Sequence, residues 1–447
     1  MLKELKYVFY LFTIYLLLSV TNLIVLWGQN PISSFIVGQL IIALFVIDLI
    51  KSPYHFHIYQ IINFYFYYSL VISHSFNTSA LNIENYEIAY LINFIHFVLF
   101  SMGYSLIRYK YKPVRIIPRQ NYLFLIYIVI GLIYSFLSVI SLQKGYSDQF
   151  PSYESTRNIA IYSAGFSNII GQYQQLIIYL MNNPFVYSIV NIFGSFVGYL
   201  GNGIKANVLI AGLTLILTYQ FFVKKITASQ FILIFIFSIV SLVVLIGTSS
   251  FRGNLGLEGF LNMGLDRFLR WLNYFLVSPE SNHIVYTAKI ITFMDEGQTA
   301  IRFGFDYWRG FLYPIKDLFS DFELASYNQF PNIGREIKVN QGLYIGLAGE
   351  LFWNFGILFF VFSFFHGLIL KKFTNWTFSG DLLGIIFYLI MLHSIIWHLY
   401  RGSGNAFMQD IMFLILALII FKITIRIIMN VKYISLRKYF IRFRRVF

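Results

Sequence analysis

Four charged residues lie beside long apolar stretches of the sequence and are the first candidates for chemistry: Lys205, Arg252, Glu350 and Arg401. A charge at membrane depth is costly, so such a residue normally faces a cavity and marks a pathway or a site. An arginine guanidinium binds phosphate or diphosphate through two parallel hydrogen bonds and stays charged at any working pH. The set predicts a cation-lined cavity for a diphosphate-bearing substrate. The alternative for each single cation is contact with lipid headgroups.

His398 lies within an apolar stretch, three positions before Arg401, and is a second candidate for acid–base chemistry beside Glu350. A base near an acceptor hydroxyl contributes about 10²–10⁴-fold to the rate of a transfer reaction. The alternatives are a core histidine for His398 and, for Glu350, an ion pair that locks two helices. The sequence has no HExxH, DxD or EF-hand spacing, so we expect neither a metal site nor a cofactor.

The composition indicates which elements position these residues. Hydrophobic residues make up 58% of the 447 positions and charged residues 12%, whereas a soluble domain carries about 25% charged residues. The mean hydropathy of +0.68 also indicates a predominantly apolar chain. There is no cysteine, which excludes disulfide scaffolds, thiolate metal sites and iron–sulfur clusters. The chain is predicted to be an all-α polytopic membrane protein.

A bilayer-spanning helix needs about 17–25 predominantly apolar residues. The sequence offers twelve such segments, of which the sixth and seventh are short and interrupted. They lie near residues 7–27, 32–50, 57–74, 88–107, 121–141, 166–180, 185–200, 204–223, 230–247, 342–370, 382–399 and 406–429.

The basic residues are concentrated in alternate connections between these segments. One set of connections, with the C-terminal tail, holds 20 of the 33 Lys and Arg residues and only three acids. Because cytoplasmic loops are enriched in Lys and Arg, this set and both termini are predicted to be cytoplasmic. The net charge of +14 therefore reflects orientation and contact with membrane lipids, and nucleic acid is not an expected partner.

The spacing of the segments predicts four regions. Residues 1–247 form an N-terminal bundle of about nine spans, 248–341 a large periplasmic loop, 342–430 three further spans, and 431–447 a basic cytoplasmic tail. A connection of this length is normally a domain or a functional loop. Within it, residues 261–276 have the spacing of an interfacial amphipathic helix.

Short motifs beside these candidates resemble a known family. GLYIGLAGELFWNFG (342–356), which follows the large loop, is similar to the signature region of Wzy-type O-antigen and oligosaccharide repeat-unit polymerases. GNGIKANVLIAG (201–212), FDYWRGFLYPIKDLF (305–319) and YRGSGNAFMQD (400–410) resemble other parts of the same family.

The resemblance implies a GT-C-type glycosyltransferase in the bacterial inner membrane, with its active site facing the periplasm. The implied donor is a growing glycan on undecaprenyl diphosphate, and the implied acceptor is one lipid-linked repeat unit. A chain-length regulator and a flippase are expected as further partners. No cofactor is implied.

The family's site residues carry over by position. Arg401 matches the basic residue before the last span, and Glu350 matches the acid of the signature run. Lys205 occupies the position where members of the family commonly have arginine. The lysine keeps the positive charge but lacks the two-pronged guanidinium group. The resemblance also implies loop arginines in diphosphate binding, and those present here are Arg252, Arg302 and Arg309.

The expected reaction is inverting glycosyl transfer, in which cations stabilise the departing diphosphate. Glu350 is the preferred base and His398 the second choice. One alternative is an O-antigen ligase, which would use a histidine of the outer loop, where this chain has only His283. The other is a lipid-linked oligosaccharide flippase, which would lack so long an outer loop.

Overall fold

A computed structural model describes about half of the chain, in several separate stretches. The described residues are 15–16, 19–20, 32–52, 54, 56–74, 83–112, 205–222, 225–227, 230, 234, 283–312, 345–401 and 404–430. Within these ranges all regular secondary structure is helical and there is no strand. The all-α prediction is therefore confirmed for this part of the protein.

The described part contains ten α-helices, which we number in chain order. They are α1 (Ile32–Lys51), α2 (Ile58–Tyr67), α3 (Tyr86–Ser105), α4 (Lys205–Phe222), α5 (His283–Asp295), α6 (Phe305–Leu312), α7 (Gly346–Phe355), α8 (Phe359–Phe378), α9 (Leu382–Arg401) and α10 (Gly404–Asn430). A π-helical turn, Tyr68–Ser73, prolongs α2, and a 3₁₀ turn, Gly356–Leu358, joins α7 to α8.

Six of the predicted segments coincide with helices to within a few residues, namely the second, third, fourth, eighth, eleventh and twelfth. The first and ninth lie almost wholly outside the described residues, and the fifth, sixth and seventh wholly outside. Two stretches are long and apolar enough to cross a membrane by length and composition, Tyr86–Ser105 and Gly346–Phe378. They are the structural indication of a membrane protein.

The predicted end of the tenth segment (342–370) is wrong, because the helix extends beyond residue 370. The helical stretch breaks at Gly356, which has a φ of 55°, and then continues to Phe378. Lys371 and Lys372, predicted to lie in a connection, are therefore inside α8. The prediction ended the segment at residue 370 because hydropathy falls there. Backbone hydrogen bonding does not depend on hydropathy, so the helix continues. Lys371 is accommodated because it is buried against aromatic rings.

The most extensive helix packing joins α3 to α8. Gly103 and Gly367 lie at the crossing, where the backbones touch: a Cβ atom on Gly103 would overlap the carbonyl oxygen of Phe364, and one on Gly367 that of Phe100. Small residues permit such close approach between membrane helices. A hydrogen bond of 2.7 Å between His96 Nδ1 and Ser363 Oγ also joins the two helices.

The described part of the large loop packs into the helical bundle. Nine of the 13 residues of α5 are buried, against α3 and α7. The Asn85 side chain, just before α3, donates a hydrogen bond of 3.1 Å to Thr292 Oγ1 of α5. The interfacial helix predicted over residues 261–276 lies outside the described residues.

Charged residues of the described ranges divide between the two ends of the bundle. One end, called the basic end below, gathers seven cations: Lys51, Arg108, Lys110, Lys112, Lys225, Lys371 and Lys372. Contacts among the segments before α2, after α3, after α4 and around the end of α8 define it. The other end, called the Glu350 end, holds the start of α7 and the junction of α9 with α10.

Candidate functional site

Glu350 lies on α7 at a point where three segments meet, and its side chain is buried. Its Oε1 atom accepts a hydrogen bond of 2.6 Å from the backbone N–H of Gly404, the first residue of α10. Its Oε2 atom lies 3.6 Å from His398 Nδ1 on α9. One carboxylate therefore joins α7 to both sides of the α9–α10 junction. The structure brings together Glu350 and His398, which the sequence proposed as alternatives for one role.

His398 is enclosed by other rings. Phe407 is stacked on the imidazole with ring centroids 4.6 Å apart, and the Tyr307 ring meets it edge-on at 5.9 Å. The His366 ring lies 5.8 Å away. Among the residues that the structure describes, no group lies within hydrogen-bonding reach of His398 Nε2. The imidazole thus faces Glu350 with Nδ1 at a distance longer than a hydrogen bond, and neither of its nitrogens is hydrogen-bonded within the described residues.

Gly404 lies at a crowded point of this junction, where any larger residue would displace the Tyr307 or Glu350 side chain. A Cβ atom there would lie 2.7 Å from Tyr307 Cε1 and 2.8 Å from Glu350 Oε1. Tyr307 belongs to α6, which packs on α10. The close approach explains why the backbone N–H can reach the carboxylate.

Arg401 ends α9, and Gly404, three positions later in the chain, begins α10. The residue that binds the Glu350 carboxylate is therefore a near neighbour of Arg401 in sequence. The structure places Arg401 at the expected position in the chain, but its side chain is not among those described. The same applies to the side chain of Lys205, the first residue of α4.

Arg302 is half-buried at the opposite end of α7 from Gly346. Its guanidinium carbon lies 4.8 Å from the centre of the Trp353 ring, and its backbone N–H donates to the Trp353 carbonyl at 3.1 Å. Gly304 N–H donates to the Asn354 carbonyl at 3.3 Å. Between them, Phe303 has a φ of 51°, a conformation that is costly for a residue with a side chain.

These two bonds fix the segment before α6 onto the last turn of α7. Arg302 is thereby held against the end of the helix that carries Glu350. Arg309 follows on α6, with its side chain outside the described set. Arg252 lies outside the described residues altogether.

Sequence reasoning missed Tyr307 and Gly404, which complete the surroundings of Glu350 and His398. The available signals were the glycines around Arg401, which permit a close approach, and the tyrosine in FDYW (305–308). Neither signal specifies its partner, because the contacts join residues about 50 or more positions apart in the chain. Within the described ranges no group of three His, Asp or Glu side chains is arranged to hold a metal ion.

Comparisons with protein-family models, with curated proteins and with solved structures find no match to this chain. The class of protein that the fold supports is thus a helical protein with two described stretches able to cross a membrane.

Proposed function

We propose that the protein is a membrane glycosyltransferase that polymerises an oligosaccharide repeat unit carried on undecaprenyl diphosphate, as in lipopolysaccharide biosynthesis. The observation that carries the proposal is the buried Glu350–His398 pair, whose carboxylate also binds Gly404 close to Arg401. In this proposal the pair acts together with Arg401, the arginine that the family resemblance assigns to the substrate diphosphate and that lies three positions before Gly404 in the chain.

The reaction is an inverting transfer at the anomeric carbon of the donor. An acceptor hydroxyl attacks that carbon, the bond to the diphosphate oxygen breaks, and undecaprenyl diphosphate departs. Negative charge grows on the leaving group, so preorganised cations provide the largest stabilisation of the transition state. These cations are Arg401, Lys205, Arg252, Arg302 and Arg309.

His398 is the better base of the two candidates because one Glu350 oxygen already accepts the Gly404 N–H, whereas neither ring nitrogen of His398 has a hydrogen-bond partner within the described residues. Glu350 then acts as a positioning residue: its carboxylate faces Nδ1 and favours the tautomer that leaves Nε2 able to accept a proton. Tyr307 covers the imidazole, and both members of the pair are buried. The acceptor hydroxyl therefore reaches His398 only after a rearrangement of the side chains that enclose the pair.

The proposed orientation has twelve spans, the basic end in the cytoplasm and the Glu350 end in the periplasm. The cations gathered at the basic end support it, since cytoplasmic loops carry the excess of Lys and Arg. Exposed aromatic side chains lie at the Glu350 end, with Phe303 82% and Trp308 65% exposed. Such rings provide platforms for the apolar faces of sugars.

The ligase alternative is less well supported by the position of His283. This residue is fully buried, its ring lies 5.4 Å from that of Tyr65, and its Cβ atom crowds Gly346. His398 is equally buried but faces the Glu350 carboxylate at 3.6 Å, whereas His283 packs against Tyr65 and Gly346. The flippase alternative does not account for α5 and α6, which the large loop contributes to the bundle.

The lipopolysaccharide ladder of a deletion strain tests the proposal. Core carrying a single repeat unit is the expected result, and full-length ladders must return when the wild-type gene is restored. Bare core with accumulated lipid-linked polymer would assign the protein as a ligase. Single lipid-linked units retained in the cytoplasm would assign it as a flippase. Either of these two results would overturn the proposal.

A further inference from the structure

The segment that follows α3, RYKYK (108–112), is not helical and alternates basic and aromatic residues. One Asn375 amide binds both the Arg108 carbonyl and the Lys110 N–H, which is the spacing of an extended backbone. Successive side chains of an extended chain point to opposite sides. Here the side chains of Arg108, Lys110 and Lys112 are exposed, whereas Tyr109 packs inward and Tyr111 packs sideways against neighbouring segments. Three cations consequently project from one side of the segment, with alternate residues about 7 Å apart.

Tyr109 is the inward anchor of the segment. Its hydroxyl donates a hydrogen bond of 2.7 Å to Asp48 Oδ1 and lies 2.9 Å from the hydroxyl of Tyr104. Burial raises the pKa of the Tyr109 phenol well above its ordinary value, as do the neighbouring Tyr104 and Asp48. The hydroxyl therefore remains a donor. The Lys371 ammonium lies against the Tyr109 ring, 2.9 Å from its centre.

Asp48, on α1, is fixed in turn by two residues at the start of α2. Its Oδ2 atom lies 2.8 Å from His57 Nε2 and accepts a hydrogen bond of 3.5 Å from Gln60 Nε2. Both Asp48 and His57 are buried. The anchor beneath the extended segment is thus a buried polar cluster rather than a single contact.

The backbone of the segment is held by α8. Asn375 uses both ends of its side-chain amide: Oδ1 accepts from Lys110 N–H at 3.2 Å, and Nδ2 donates to the Arg108 carbonyl at 2.8 Å. Lys112 N–H donates to the Phe378 carbonyl at 2.8 Å. The positions of the three cations are therefore set by backbone contacts that do not involve their charges.

Further cations surround the segment and no acid of the described part offsets them. Lys225 lies over the Tyr111 ring, with its ammonium 3.8 Å from the ring centre. Lys51 and Lys372 are exposed at the same end. Of the acids described there, Asp48 is buried in the cluster and Asp381 accepts a hydrogen bond of 2.6 Å from Trp376 Nε1.

We propose that residues 108–112 form a preformed binding site for the phosphates of anionic phospholipid headgroups in the leaflet at the basic end. The segment joins the ends of helices long enough to cross a bilayer, so its exposed side faces headgroups. Cations about 7 Å apart engage separate headgroups, and a fixed backbone avoids the ordering cost that a flexible basic loop would incur. The site is independent of the proposed glycosyl transfer.

The test uses the full-length protein in nanodiscs that contain phosphatidylglycerol and phosphatidylcholine, with the lipids retained after extraction counted by native mass spectrometry. Substituting Arg108→Gln, Lys110→Gln and Lys112→Gln together is expected to lower the preference for phosphatidylglycerol by about fivefold per cation. The matched control substitutes Arg442→Gln, Arg444→Gln and Arg445→Gln, which removes the same charge from the tail. The control is expected to keep most of the preference.

A charge-neutral variant separates a built site from diffuse attraction. Asn375→Ala removes the hydrogen bonds to Arg108 and Lys110 and leaves every cation in place. It is expected to lower the preference severalfold. Equal losses in the two triple variants would overturn the proposal, as would a wild-type preference in a folded Asn375→Ala protein. If that variant does not fold, the triple comparison decides alone. Binding of tripolyphosphate without any lipid preference would assign the segment to a soluble polyanion and would also overturn it.

Discussion

Glu350 contacts a backbone N–H and an imidazole with different oxygens of one carboxylate. The hydrogen bond to Gly404 fixes the junction before α10, and the contact with His398 fixes the orientation of a ring. A glutamine can provide the first contact through its amide oxygen but cannot provide a negative charge beside His398. Substitution can therefore separate the role in packing from the role in catalysis.

The first prediction compares Glu350→Gln with Glu350→Ala. Glu350→Gln should keep the melting temperature near that of the wild type and lower kcat, with KM little changed. Glu350→Ala leaves the Gly404 N–H unsatisfied, so it should also lower stability, by about 1–3 kcal/mol. Turnover of a lipid-linked repeat unit in proteoliposomes and thermal unfolding in detergent provide the measurements. Wild-type kcat in Glu350→Gln would restrict Glu350 to packing.

The second prediction concerns the base. His398→Gln should lower kcat by about 10²–10⁴-fold, because the residue that accepts the proton of the acceptor hydroxyl is lost. The matched control is His366→Gln, whose ring lies beside His398 but whose Nδ1 atom faces the Phe362 carbonyl of its own helix. The control should retain most activity. Equal losses in both variants would point to packing of the rings.

The third prediction concerns Arg401. Arg401→Lys keeps the positive charge but cannot form two parallel hydrogen bonds to a diphosphate. Most polymerisation should therefore be lost in Arg401→Lys and all of it in Arg401→Ala, with normal amounts of inserted protein. Ladder length and membrane immunoblots measure the two properties. Wild-type ladders in Arg401→Lys would identify Arg401 as a headgroup contact and would remove the main support for a diphosphate clamp.

At the scale of elements, the crossing of α3 and α8 positions both ends of the molecule. The crossing depends on Gly103 and Gly367, where backbone meets backbone. Towards its C-terminus, α8 extends from the crossing to Asn375, which holds the basic segment. Towards its N-terminus, it extends to the break at Gly356, on the other side of which lies α7 with Glu350. A change at the crossing should therefore affect the whole bundle.

The fourth prediction tests this crossing. Gly367→Ala places a methyl group on the Phe100 carbonyl and should destabilise the protein by about 1–3 kcal/mol, as overpacking does elsewhere. Gly212→Ala on α4 is the matched control, since nothing lies within 4 Å of its added Cβ. Thermal unfolding in detergent measures both. A melting temperature of Gly367→Ala equal to that of the control would show that the crossing relaxes freely.

At the scale of the whole molecule, the separation of charge among the described residues supports the proposed orientation. The fifth prediction is that reporter fusions after Lys225 and at Gly380 read cytoplasmic, whereas a fusion near residue 282 reads periplasmic. Gly380 is chosen because Lys372 lies inside α8, where a fusion would truncate the helix. A cytoplasmic signal near residue 282 would reverse the orientation and place the Glu350–His398 pair on the wrong side for a periplasmic transferase.

The sequence by itself predicted most of the described helices and drew attention to particular charged residues, but it did not predict α5 and α6 within the large loop. Hydropathy depends on local composition, so it located α1, α3, α4, α9 and α10 to within a few residues. It failed at Lys371, because the burial of a lysine depends on the rings that surround it and not on its neighbours in the chain.

Only the tertiary structure decided which residues meet. Glu350 reaches Gly404, and Tyr109 reaches Asp48, across more than 50 positions of sequence. The packing of helices sets such contacts, and no periodicity or motif in a single chain specifies which faces will pack together. The sequence thus suggested Glu350 and His398 as alternatives, and the packing of α7 against α9 and α10 made them partners.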